Sequence, residues 1–151
     1  MSPRRARLRR FVFRAALVAM GVLVLAQLVP YGWRHSNPPV TADAPWPTAR
    51  AERIARDACY SCHSNETDWP VYSYVAPMSW LVRRDVEEGR DDLNFSEWDR
   101  DDNDADDAAE TVEEGSMPPS RYTILHPEAR LSDDEERELI AALTAIDERE
   151  D

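Results

Sequence analysis

The sequence predicts an all-α protein: an N-terminal transmembrane helix, then a small domain of three to five short helices with long loops. Three observations carry that expectation. Residues 11–29, FVFRAALVAMGVLVLAQLV, are apolar apart from Arg14 and Gln27. Beyond position 48 no stretch alternates apolar and polar residues as a half-buried strand does. Apolar residues recur at helical spacing instead, as at Ala105, Ala108, Ala109 and Val112.

Residues 1–10 carry five arginines ahead of the apolar run, a segment expected on the cytoplasmic side of a membrane. Nineteen helical residues at about 1.5 Å each would reach roughly 28 Å, close to the hydrocarbon thickness of a bilayer. No small-x-small cleavage site follows, so residues 11–29 are expected to remain as a single-pass anchor, with the rest of the chain outside the cytoplasm. Residues 30–47 hold five of the eleven prolines and read as an extended spacer.

The domain proper is expected at 48–151. Thr48 is a suitable N-cap for a helix through ARAERIARDA into the cysteine motif. NETDWPVYSYVAP is aromatic and proline-broken, hence loop. MSWLVRRDVEEG reads as a helix stopped by Gly89. NFSEW is expected to open a short helix capped by Asn94 or Ser96, and the alanine stripe from Ala105 to Val112 makes the next. GSMPPSRYTILHPEAR is irregular, because Pro118, Pro119 and Pro127 forbid regular ladders. Ser132-Asp-Asp-Glu135 forms a capping box for a last helix with Leu139, Ile140, Leu143 and Ile146 on one face.

Charge narrows the partners. All 18 basic residues are arginine, and seven precede position 35. Residues 35–151 set eleven arginines against all thirty acids, a net −19. Such a surface cannot neutralise phosphates, which excludes nucleic acid. It suits a partner with a basic docking surface.

The chemistry is concentrated in Cys59-Tyr60-Ser61-Cys62-His63. A zinc site needs four ligands, and no second paired motif exists. A redox dithiol expects a βαβ setting that the chain lacks. A disulfide between residues three apart in a helical turn has poor geometry. C-x-x-C-H is the attachment signature of c-type haem: two thiols about one turn apart add to the two porphyrin vinyl groups, and the adjacent imidazole faces the iron. Cys59 and Cys62 are thus the expected attachment points of one covalent haem c, with His63 as proximal ligand. Few aliphatic residues are available for a core, and loops rich in Trp, Tyr and Pro make sense around a large flat apolar group. The domain is therefore expected to be cytochrome-c-like. Met117, in GSMPP, is the expected distal ligand, with Met78 and His126 as rivals. Arg83, Arg84 and Arg121 are candidate partners for haem propionates, surface exposure being the alternative. Trp46, Trp69, Trp80 and Trp98 are expected in the core, and Tyr60 and Ser61 as spacers. Asp99, Asp101, Asn103, Asp107 and Glu110 have the spacing of an EF-hand calcium loop, but Asp104 stands where glycine is required.

From Gln27 to Ile146 the chain resembles the small single-haem "haem-binding domain" family of bacterial membrane-anchored c-type cytochromes. The stretches that carry the resemblance are QLVPYG, NPPV, CYSCHSNETDWPVYSYVAPMSWLV, DVEEGRDDLNFSEW and EEGSMPPSRYTILHPEARLSD. The resemblance implies covalent attachment at Cys59 and Cys62, His63 as proximal ligand and Met117 as distal ligand. It brings no substrate or redox partner with it. The expected role is that of a non-enzymatic electron carrier at the periplasmic side of the bacterial cytoplasmic membrane, serving a membrane-associated redox protein with a basic docking surface. The alternative is a haem sensor or peroxidase-like enzyme whose sixth ligand is labile or absent.

Overall fold

The computed structural model describes residues 3–148 and is all-helical, with seven α-helices and two 3-10 turns among them. They are α1 (Pro3–Ala26), α2 (Ala49–Ala58), α3 (Tyr60–His63), α4 (Met78–Asp92), α5 (Ala105–Glu113), α6 (Ser120–Thr123) and α7 (Asp133–Asp147). The 3-10 turns are Val71–Tyr74 and Pro127–Ala129. The only pairing of strand type among the described residues is an isolated parallel bridge between Ala42 and Glu97.

The expected transmembrane helix is corrected. Among the described residues no helix is long and apolar enough to cross a membrane. The physical reason lies in where α1 begins and ends. It takes in six arginines, and its apolar part, from Phe11 to Ala26, is interrupted by Arg14. Those sixteen residues measure about 24 Å, against a hydrocarbon layer of about 30 Å. Leu28 and Val29, counted in the expected span, lie beyond the helix end in turns closed by bonds to Leu25 and Ala26. The single-pass topology and the periplasmic localisation inferred from that span fall with it.

The chain divides into two compact units. The first holds the chain up to His35 together with Pro70–Arg84. Within it the Gln27 amide grips Ala76 from both sides, donating to its carbonyl at 3.1 Å and accepting from its N–H at 3.0 Å. His35 stacks on Tyr74 at 4.1 Å and meets the Ser73 carbonyl through Nε2 at 3.0 Å.

The second unit holds Ser36–Trp69 and Asp85–Asp151. Its core joins Ile54, Phe95, Trp98, Val112, Leu139 and Ile146, with α5 and α2 packed on α7. Caps set the helix starts as expected. Thr48 Oγ1 accepts from Ala51 N–H at 3.0 Å, and Ser132 with Glu135 completes a reciprocal capping box. The alanine stripe becomes α5, started by Asp104, whose carboxylate accepts from Asp107 N–H. Two expectations fail here. Gly89 does not stop α4, which continues to Asp92. Asn94 and Ser96 do not cap a helix; they are buried, and their polar groups bond to Asn65, Asn103 and the local backbone.

Residues 37–44 run as a belt over the second unit. Asn37 donates to the Thr67 carbonyl, Ala44 N–H to the Phe95 carbonyl, and Trp98 N–H to the Ala42 carbonyl. Asn65 donates to the Pro39 carbonyl. Arg90 anchors the start of the belt by donating to the carbonyls of Ser36 and Ser64, to Asn37 Oδ1 and to Thr67 Oγ1.

Leu139, Leu143 and Ile146 are all but fully buried, each contributing roughly 1.5–3 kcal/mol of apolar burial. The α7 cap is exposed and separable from that packing. Ser132→Ala is expected to lower stability by about 1 kcal/mol, measured by denaturant unfolding followed by circular dichroism. An unchanged midpoint would show that the box contributes nothing.

Candidate haem site

α2 delivers the motif. Its inward face, Ala51, Ile54, Ala55 and Ala58, fixes the helix on the core, and the chain then tightens into the single turn α3. Cys62 N–H and His63 N–H both donate to the Cys59 carbonyl, at 3.0 and 2.9 Å. Cys59, Cys62 and His63 are thereby gathered on one turn. The two cysteines are half-buried free thiols, not joined to each other.

Tyr60 is no spacer. It is buried, stacks on Phe95 at 5.3 Å, and accepts from Trp46 Nε1 at 2.9 Å through its hydroxyl. The aromatic ring between the cysteines therefore pins the turn to the core. Trp98 is buried with it, while Trp46, Trp69 and Trp80 are half-buried.

The C-terminal half of α4 closes on the other side. A Cβ added at Gly89 would lie 2.8 Å from the Cys62 carbonyl oxygen and 3.0 Å from Cys62 Cβ. Only a residue without a side chain lets the helix approach this far. Just past the helix end, the Leu93 carbonyl lies 3.2 Å from His63 Nδ1. Carbonyls near a helix C-terminus lack intrahelical partners, and here one is supplied by the ring. A carbonyl only accepts, so Nδ1 carries the hydrogen and Nε2 keeps its lone pair. Burial holds the His63 pKa below its ordinary value, against the opposing pull of the Leu93 and Gly89 carbonyls and of Asp92. The imidazole is neutral at pH 7, the state in which it ligates a metal.

The thiols are shifted the other way. Burial, helped by neighbouring Cys62, pushes Cys59 up to about 12. Burial and then Asp85 push Cys62 up to about 11, opposed by Arg121 and Arg90. A redox dithiol needs a stabilised thiolate, so this environment argues against that chemistry. Two reduced thiols one turn apart beside a neutral imidazole with Nε2 available fit the donor set of a c-type haem.

Met117 lies on the loop after α5. Gly115 turns the chain there with φ +70°, and Met117 N–H donates to the Thr111 carbonyl at 3.2 Å. The side chain is 36% exposed and so is not a core methionine. Four residues on, Arg121 pairs with Asp85 at 3.0 Å, and both charges act on the Cys62 thiol. That pair ties the Met117 segment to the side of the second unit that carries the motif. The rivals are placed differently. His126 stacks on Tyr122 and meets Glu128 through Nδ1 at 3.0 Å, and Met78 begins α4. Arg83 donates to the Arg34 carbonyl. The calcium spacing yields no site: among the described residues no group of three His, Cys, Asp or Glu could hold a metal ion. Its would-be ligands are used elsewhere, Asp99 accepting from Thr41 and Asn103 from Asn94.

The family model for the haem-binding domain matches residues 21–145, which include the whole cysteine motif, Gly89, Leu93 and Met117. The chain belongs to the haem-binding domain family. No curated protein and no solved structure matches it. Of the residues that hold this haem-binding domain around its motif, Gly89 and Asn94 were expected in other roles, as helix stop and helix cap, and Leu93 and Asn65 were not singled out by the sequence. Their roles rest on tertiary contacts, and an asparagine's burial cannot be read from its identity.

Two outcomes test the site. Gly89→Ala should improve intrinsic helix propensity by about 1 kcal/mol, yet it is expected to destabilise the domain and reduce the yield of haem-loaded protein, measured by thermal melting and haem absorbance. A raised melting temperature would contradict the close approach. In the haem-free chain, raised thiol pKa values mean less thiolate at any given pH. Alkylation should be slower than for free cysteine at pH 8 and accelerate only in the alkaline range, followed by mass spectrometry.

Proposed function

We propose that this haem-binding domain is a c-type electron carrier, with one haem attached through Cys59 and Cys62 and ligated by His63 Nε2 and Met117. The observation that carries the reading is the Leu93 carbonyl at 3.2 Å from His63 Nδ1. It fixes the tautomer and the ring plane, as partners of ligating histidines do. Bound haem supplies a one-electron ferric/ferrous couple.

The chain's own part is positional. α2 and the buried Tyr60 ring hold the cysteines, α4 holds the histidine, and the Gly115–Pro119 loop offers the thioether. A neutral methionine ligand favours the ferrous state and raises the reduction potential. As an electron carrier the protein makes and breaks no bond of a substrate; it positions the haem for exchange with a partner. The acidic excess after position 35 supports a redox partner with a basic docking surface, in an association that weakens as salt rises.

The test is spectroscopic. The mature chain should exceed its polypeptide mass by one haem, and the ferric form should be low-spin with a weak far-red charge-transfer band from iron–sulfur ligation. Met117→Ala should abolish that band while leaving the covalent mass unchanged. A band that survives removes Met117 from the coordination sphere. A high-spin, CO-binding haem in the unaltered protein favours the sensor or peroxidase-like alternative. A bare polypeptide mass with both thiols reactive removes covalent attachment.

A further inference from the structure

The Asp-rich run 99–107 contains one neutral amide, Asn103, whose hydrogen bonds lead to His63. Asn103 Nδ2 donates to the Glu97 carbonyl at 2.8 Å, which fixes the orientation of the amide. Its Oδ1 is then left to accept, and it takes Asn94 N–H at 2.8 Å. That N–H belongs to the same peptide plane as the Leu93 carbonyl, the acceptor for His63 Nδ1–H. The plane itself is pinned. Asn94 Oδ1 accepts from Ser96 N–H and Nδ2 donates to Asn65 Oδ1, both at 3.0 Å.

A peptide that donates through its N–H becomes a better acceptor at its carbonyl, by roughly 10–30% per bond in a chain. We propose that Asn103 is a positioning residue for the axial histidine: it polarises the Leu93–Asn94 peptide and thereby strengthens electron donation from His63 Nε2. The inference rests on the reading of His63 as the proximal ligand. It assigns a part of the Asp-rich run to tuning the reduction potential, since hydrogen bonding behind an axial ligand is one of the protein's levers on a haem. A more strongly donating imidazole favours ferric iron, so Asn103 holds the potential down. The amide matters here because it both anchors itself and accepts, whereas an aspartate would bring a full charge to the same peptide.

The test uses the full chain with its haem attached. Midpoint potential, the His63 Nδ1 proton resonance of the ferrous protein and melting temperature are measured together. Asn103→Ala removes the acceptor, and is expected to raise the potential and move the resonance upfield. Asn103→Asp supplies a charged acceptor, and is expected to lower the potential and move the resonance downfield. A merely structural asparagine would lower the melting temperature in both variants and leave the potentials unmoved or shifted the same way; that result overturns the proposal. Where the alanine variant fails to accumulate with haem, the aspartate variant alone decides: a potential equal to or above that of the unaltered protein overturns it. Failure of the ligand assignment is seen separately and first. If ¹⁵N-labelled His63 shows no haem-shifted resonance in the unaltered protein, both readings fall before any Asn103 variant is compared.

Discussion

The close approach of α4 to the cysteine turn governs the rest of the site. With Gly89 in place, helix backbone and the Cys62 carbonyl meet at a distance that any side chain would forbid. From that contact follows the register of the helix end. Leu93 leaves α4 at the level of His63, and Phe95 N–H reaches back to the His63 carbonyl at 2.8 Å. Ring and backbone of the histidine are thus both held by the same short segment. A side chain fixed twice has little freedom left to lose on binding, which is the physical content of preorganisation.

Behind that segment the interior is polar rather than oily. Ser64, Asn65, Asn94 and Ser96 are buried almost completely, and each has partners. Buried amides and hydroxyls left unsatisfied would cost about 1–3 kcal/mol each. A network in which every member is satisfied rigidifies and selects one arrangement. An aliphatic core could supply comparable cohesion, but it would not place a carbonyl opposite an imidazole. The apolar core on α2, α5 and α7 and this polar layer divide the work, the first giving cohesion and the second direction.

How much of this was readable in the residues differs from element to element. Caps and stripes act locally, so Thr48, the capping box at Ser132 and the stripe from Ala105 to Val112 announced α2, α7 and α5 correctly. The spacing of the cysteine motif pointed to haem, and the family to which the chain belongs is a haem-binding one. Gly89 misled because glycine is a common helix terminator, and its actual use, clearance for a distant carbonyl, depends on a contact across 27 residues. Asn94 and Ser96 misled likewise, as good caps that tertiary partners claimed first. The transmembrane expectation failed on length: the apolar composition continues to Val29, but the helix stops at Ala26, and composition alone does not mark that end.

The belt of residues 37–44 has a consequence for the order in which the domain can assemble. Thr41 and Ser96 are joined across 55 residues of chain, with the cysteine turn lying between them. During synthesis the belt leaves the ribosome long before the residues that clasp it. The clasp therefore cannot fasten until translation has passed Ser96 and Trp98, and until then the thiols lie in an open loop. Chain direction itself sets a time interval during which the cysteine turn has emerged but is not yet enclosed.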